Sequence, residues 1–175
     1  MEQKLESRYL IREQIGQGAF GVIYHALDEK NHREIAIKVW KAGSETEIFS
    51  HDNSPFLREE MIPGVVKIYD YFEKAGMNFL VMEYLPGGTL KQKLEMLRKQ
   101  SSQRQLLELF RPVLEGLAFL HSEGLVHCDL SPDNLMFDEA GNLKLIDLGA
   151  CRGKEIICDK KFMKEAYSAP EQYTA

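Results

Sequence analysis

Apolar and polar residues alternate through the first half of the chain with the period of a pleated strand. YLIREQI (residues 9 to 15), VIYHAL (22 to 27), EIAIKVW (34 to 40), VVKIYDYF (65 to 72) and NFLVMEY (78 to 84) predict five strands separated by turn residues. Residues 28 to 32 make a short hairpin connection. Between the third and fourth strands, Ser44-Glu45-Thr46-Glu47 has the form of a capping box and predicts a short helix, which Pro55 ends or restarts.

After Gly87-Gly88 the period becomes helical. TLKQKLEMLRKQ (89 to 100) predicts one helix and LLELFRPVLEGLAFLHS (106 to 122) a second. In the second, Leu106, Leu109, Phe110, Val113, Leu117 and Leu120 fall on one face, and Pro112 is expected to kink it. Short strands follow at 135 to 137 and 143 to 146, around a turn at 139 to 142. Strands first and helices afterwards predict an α+β fold of two lobes, residues 1 to 85 and 86 to 175, with Gly87-Gly88-Thr89 as a hinge.

Composition narrows the class. An apolar content of 44% with 28% charged residues is that of a globular protein, and a formal charge of −5 argues against nucleic acid or an anionic membrane as the default partner. No apolar run approaches the roughly 18 residues of a membrane span, and the first ten residues lack a signal-peptide pattern, so a cytoplasmic location is expected. Cys128, Cys151 and Cys158 are odd in number and lack metal-site spacing, which points to reduced thiols.

Candidate chemistry lies in three places. Gly16, Gly18 and Gly21 have the spacing G-x-G-x-x-G, a weak signal alone; because VIYHAL reads as a strand and not a helix, the loop is expected to fold over phosphates as the lid of a hairpin. Backbone amides of glycines approach phosphate oxygens with no side chain between. Lys38 ends IAIK on an otherwise apolar strand and shares its face with Ala36. It is either an edge lysine reaching water or a phosphate holder pointing into the interlobe cleft, and the alternation supports the second. The strongest signal is HCDLSPDNLMF followed by LKLIDLGA. There Asp129 could accept a hydroxyl proton while Asn134 and Asp147 hold magnesium against phosphates.

In order, Gly16 to Gly21, Ile35-Ala36-Ile37-Lys38, the hinge segment Met82 to Leu85, His127-Cys128-Asp129, Asp147-Leu148-Gly149 and Ala169-Pro170-Glu171 resemble the motifs of the protein-kinase superfamily, especially bacterial Hanks-type Ser/Thr kinases. The resemblance covers residues 9 to 172. It implies a kinase-like two-lobe fold, with a five-stranded antiparallel N-lobe and an incomplete helical C-lobe, and ATP- and Mg2+-dependent transfer to Ser or Thr of a protein substrate. Lys38 would hold the α and β phosphates, and adenine would sit against Val22, Ala36 and the backbone from Glu83 to Leu85. A pseudokinase, a regulatory module that binds nucleotide without transfer, is the alternative. A small-molecule kinase shares a similar loop, but the A-P-E motif and the glycine lid count against it.

The departures from the family matter. Cys128 replaces the arginine that pairs with a phosphorylated activation segment, and no Ser or Thr stands between Gly149 and Tyr167, so activity is expected not to depend on Ser/Thr phosphorylation there. Ser131 replaces the lysine that helps neutralise the transferring phosphate, and Lys164 aligns with the usual threonine of the later P+1 segment. Lys164 either returns the missing charge or is a solvated lysine, and the small worth of exposed charges favours the second. Glu45, Glu47, Glu59 and Glu60 all remain candidates for pairing with Lys38. Lys154, Lys160, Lys161 and Lys164 hint at an acidic substrate, but interleaved Glu155, Asp159 and Glu165 favour a solvated mixed-charge loop. The sequence stops at Ala175, just past Ala169-Pro170-Glu171. The chain is therefore expected to be a fragment, or a short form in which a partner or a second copy covers the apolar helix at 106 to 122.

Overall fold

The computed structural model describes residues 3 to 18, 21 to 41, 61 to 153, 164 and 166 to 173. The capping box at 44 to 47, Pro55, the four glutamates considered for Lys38, the cluster formed by Lys154, Lys160 and Lys161, and Cys158 lie outside those residues. The chain divides into two compact units, Met1–Leu57 with Lys67–Tyr84, and Arg58–Val66 with Leu85–Ala175.

In the first unit the five expected strands appear as β2 (Tyr9–Gly18), β3 (Gly21–Asp28), β4 (Arg33–Lys41), β5 (Ile68–Lys74) and β6 (Met77–Glu83). A sixth, β1 (Gln3–Leu5), pairs with the start of β2. It is too short to show a period, which is why alternation does not predict it. All neighbours are antiparallel, in the order β1-β2-β3-β4-β6-β5. One face buries Tyr9, Ala26, Ile35, Ile37 and Val81, with Ile11, Val39, Phe72 and Phe79 packed around them.

The segment predicted as one strand from 65 to 72 is divided between the two units. Val65 forms a parallel bridge with Leu145 in the second unit, where Val66 donates its N–H to the Leu145 carbonyl at 2.9 Å. Only from Ile68 onward does the chain join the sheet as β5.

The second unit is built on α1 (Leu90–Gln100) and α2 (Gln103–Ser122). Each starts in a capping box, Thr89 with Gln92 and Ser102 with Gln105, so the first turn's orphan N–H groups are met by side chains. α2 runs through Pro112 without ending. Val113 and Leu120 are buried on the predicted face, together with Gly116, whereas Leu107 and Leu114 stand exposed on another. Gly87 and Gly88, expected as a hinge, are tied to the second unit. The Gly87 N–H donates to the Phe137 carbonyl and the Phe137 N–H to the Gly88 carbonyl, both at 2.9 Å. Two antiparallel pairs complete the frame, β8 (Leu135–Phe137) with β9 (Leu143–Leu145) and β7 (Leu125–Val126) with β10 (Arg152–Gly153), and the short α3 (Pro170–Tyr173) follows them. Among the described residues no helix is long and apolar enough to cross a membrane.

Candidate active site

In the first unit the glycine run closes a β-hairpin. Gly16 lies opposite Ile23 and Gly18 opposite Gly21. Gly21 has φ 122°, and a β-carbon there would stand 2.3 Å from the Val39 carbonyl, so only glycine lets β3 lie this close to β4. Among the described residues, a β-carbon on Gly18 would meet nothing within 4 Å.

Lys38 is 8% exposed and pairs across the sheet with Ile23 and Leu80. Ala36 pairs with His25 and Met82. Residues opposite one another in a sheet share a face, so Ile23, Ala36 and Lys38 project together. Val22 is opposite Val39 and therefore points to the other side, which corrects its expected place beside Ala36. The cause is the two-residue period: a shift of one position reverses the face, so Ile23, and not Val22, shares the face of Ala36 and Lys38. Glu83 uses its side chain within the fold, accepting the Lys67 N–H at 2.7 Å, and its own N–H donates to the Lys67 carbonyl. Leu85 is buried in the second unit.

The second unit brings Asp129, Asn134, Ser131 and Lys164 into one cluster. His127, 2% exposed, begins it. Its Nδ1 accepts the Asp129 N–H at 3.3 Å, which leaves Nε2 to donate to the Ile146 carbonyl at 3.2 Å. Burial holds the imidazole pKa below its usual value, the Ile146 bond and the charges of Asp147 and Asp129 opposing only in part, so the ring is neutral. This ring connects the loop to Ile146, the residue between β9 and Asp147.

Asn134 fixes Asp129 from the other end of the loop. Its Nδ2 donates to the Asp129 carbonyl at 2.8 Å and to Asp129 Oδ2 at 2.7 Å. With the amide nitrogen so occupied, Asn134 Oδ1 is turned away from Asp129. The Ile146 N–H donates to the Asn134 carbonyl at 2.9 Å, which sets Asp147 next in the chain. Asp147 is left-handed, φ 55°, and its Oδ1 receives the Gly149 N–H at 3.4 Å. An amide oxygen and a carboxylate are hard donors of the kind Mg2+ takes when phosphates and water complete its shell, so these residues fit that ion.

Lys164 belongs to this cluster. Its Nζ lies 2.9 Å from Asp129 Oδ1 and 3.1 Å from Oδ2, and donates to Ser131 Oγ at 2.8 Å. Ser131 is 2% exposed, so the solvated-lysine reading gives way to a lysine paired beside a buried hydroxyl. The segment is held in turn. The Lys164 N–H donates to Ser168 Oγ, and its carbonyl accepts the N–H groups of Tyr167 and Ser168, each at 2.8 Å. Gln172 Nε2 then reaches back to the Cys128 carbonyl at 3.1 Å while its Oε1 accepts the Ala169 N–H. The anchoring role of Gln172 was not predicted, because a hydrogen bond between residues 44 positions apart leaves no periodic trace.

One of the two described cysteines differs from expectation. Cys128, at φ 62°, is disulfide-bonded, whereas an odd count had suggested reduced thiols; such a count rules out only a fully paired set. Cys151 is free and wholly buried, and burial pushes its thiol up to about 12, which makes it inert.

Comparison with known proteins gives a consistent result. The family model described as protein kinase domain matches residues 9 to 174. The chain is 35% identical over 157 residues to the serine/threonine-protein kinase PknL of Mycobacterium bovis, covering 85% of this chain and 38% of that protein. It is 33% identical over 160 residues to the "Probable serine/threonine-protein kinase pknA2" of Bifidobacterium longum, covering 86% of this chain and 21% of that one. A "serine/threonine-protein kinase stk11 homolog" of Dictyostelium discoideum is 28% identical over 179 residues, 95% of this chain and 30% of its own. The chain thus spans about a fifth to two fifths of the length of these relatives.

Proposed function

From the premise that this chain belongs to the protein kinase family, we propose that it transfers the γ-phosphoryl group of ATP to a serine or threonine hydroxyl of a protein substrate. The observation that carries the reading is the Asp129 carboxylate, 11% exposed and held by Asn134 and Lys164. A base positioned this way can orient the acceptor hydroxyl and take its proton as the new P–O bond forms. In the first unit, Lys38 holds the α and β phosphates and the backbone of Gly16, Gly18 and Gly21 covers them. Adenine lies against Ala36, Ile23 and the backbone from Glu83 to Leu85. Asn134 and Asp147 hold Mg2+, which when bound supplies charge neutralisation at the phosphates.

The proposed activity is independent of Ser/Thr phosphorylation of the activation segment. What supports this is the absence of Ser and Thr between Gly149 and Tyr167 in the sequence and the disulfide at Cys128, where the family's arginine would stand.

Purified protein with ATP, Mg2+ and dephosphorylated casein as acceptor tests the reading. Transfer is expected, and Asp129→Asn should lower kcat by about 10²- to 10⁴-fold while leaving the ATP dissociation constant within about threefold. ATP binding with no transfer by the wild type would instead establish the rival reading, a nucleotide-binding regulatory module.

A further inference from the structure

We propose that Lys164 supplies the positive charge beside the transferring phosphoryl group, and that Ser131 and Lys164 have exchanged the cation and the hydroxyl between the catalytic loop and the later segment. The inference rests on the kinase reading above and deepens it.

Three observations carry it. The ammonium contacts both oxygens of Asp129 and the hydroxyl of Ser131. Two of those three acceptors belong to one carboxylate, so a single N–H can serve both, and one of lysine's three donors remains for an incoming oxyanion. The side chain is 36% exposed while Asp129 is 11% and Ser131 2%, which puts the cation at the boundary between a desolvated loop and the open side from which a substrate arrives. The main chain of Lys164 is fixed by Ser168 Oγ and by the N–H groups of Tyr167 and Ser168, so its location is set before any substrate binds. A preorganised cation in a partly desolvated site is the arrangement that stabilises charge during transfer without reorganisation at the moment of reaction.

In the step itself the acceptor oxygen forms a bond to Pγ as the bond from Pγ to the bridging oxygen breaks. The electron pair of that bond leaves with ADP, and the hydroxyl proton goes to Asp129. Lys164 neither gives nor takes a proton; it offsets negative charge on the equatorial phosphoryl oxygens and holds Asp129 in line. A lysine that only pinned the segment would have no such effect on the chemical step.

Single-turnover transfer to casein at saturating ATP separates the two. Lys164→Ala should slow the step by about a hundred- to a thousandfold, with the ATP dissociation constant within about threefold, whereas Lys164→Arg, which keeps the charge, should stay within about tenfold of wild type. The exchange variant Ser131→Lys with Lys164→Thr should recover at least about 30-fold over Lys164→Thr alone. Should the exchange variant melt below wild type, ethylammonium added to Lys164→Ala gives the equivalent reading, with a saturable gain in rate expected. An alanine variant within threefold of wild type, or faster than it, overturns the proposal. So does a well-folded exchange variant with no recovery, or no response to ethylammonium. A wild type that binds ATP and transfers nothing overturns the kinase reading and this one together, whereas an active wild type with an unaffected alanine variant overturns this one alone.

Discussion

Asp28, wholly buried at the end of β3, accepts from Arg8 Nε at 2.8 Å and Nη2 at 2.9 Å, from Asn31 Nδ2 at 2.7 Å and from Arg33 Nε at 3.2 Å. Burial alone would raise its pKa; the bonds from Arg8 and Asn31 and the charges of Arg8 and Arg33 more than offset this and hold it well below the usual carboxylate range. Asp28→Asn leaves Arg8 and Arg33 facing a neutral amide and should cost about 3 kcal/mol, read from the urea midpoint; a loss under about 1 kcal/mol would show that the arginines simply turn to water. Nothing in the sequence singles out Asp28, because it looks like an ordinary turn aspartate and Arg8 is 20 residues away. Asp129, Asn134 and Lys38 stand out for the opposite reason: the roles proposed for them demand particular neighbours, and those neighbours are present in order in the sequence. Val22 shows the limit of that legibility, since a motif identifies the strand but only the register says which face each residue takes.

At the scale of elements, the segment before β5 is packed on α2 through glycines. Gly64 has φ 63°, and a β-carbon there would lie 2.0 Å from the Pro112 carbonyl; one on Gly116 would lie 2.7 Å from the Pro63 carbonyl. Pro112 is tolerated inside α2, and its own carbonyl lies directly against this crossing segment. Gly76, in the β5–β6 turn, also has positive φ, 72°, but a β-carbon there would meet nothing. Gly76→Ala should therefore cost only the left-handed penalty of about 1 to 2 kcal/mol, and Gly64→Ala about 1 to 3 kcal/mol more for the overlap. Equal losses in thermal unfolding would mean that the segment slides off the helix at little cost. The helices themselves are visible as a 3.6-residue period, but their capping boxes at Thr89 and Ser102 are not part of that period, and the second helix starts at Gln103, three residues before the expected 106. The crossing of Gly64 over α2 is not, since close backbone approach is a relation between distant segments that a single glycine does not announce.

For the whole molecule, stability should respond to acid in two windows with separate causes. The unfolded chain takes up a proton on His127 near pH 6.5, while the buried ring resists it. The stability His127 contributes is therefore complete above about pH 6.5 and is lost as the pH falls towards the lower folded value. Asp28 follows the same sign further down, complete above its ordinary value of 3.8 and lost as the pH falls through the lower folded one. Urea midpoints measured from about pH 7.5 to 5 should fall for wild type and stay nearly level for His127→Gln; parallel slopes would assign the acid sensitivity elsewhere. The architecture as a whole, strands followed by helices, is legible from periodicity alone. The sharing of residues 65 to 72 between two units is not, because Val65 and Val66 are as apolar as the strand they precede.

The pairing of Ser131 with Lys164 also constrains how such a chain can change by descent. Ser131 is almost wholly buried, 2.8 Å from the Lys164 ammonium. Lysine at 131 with Lys164 still present sets two cations against each other, and losing Lys164 first leaves Asp129 with none in this cluster. Either order of single substitutions passes through a disfavoured intermediate, so a change at one position is expected to be tolerated only with a matching change at the other.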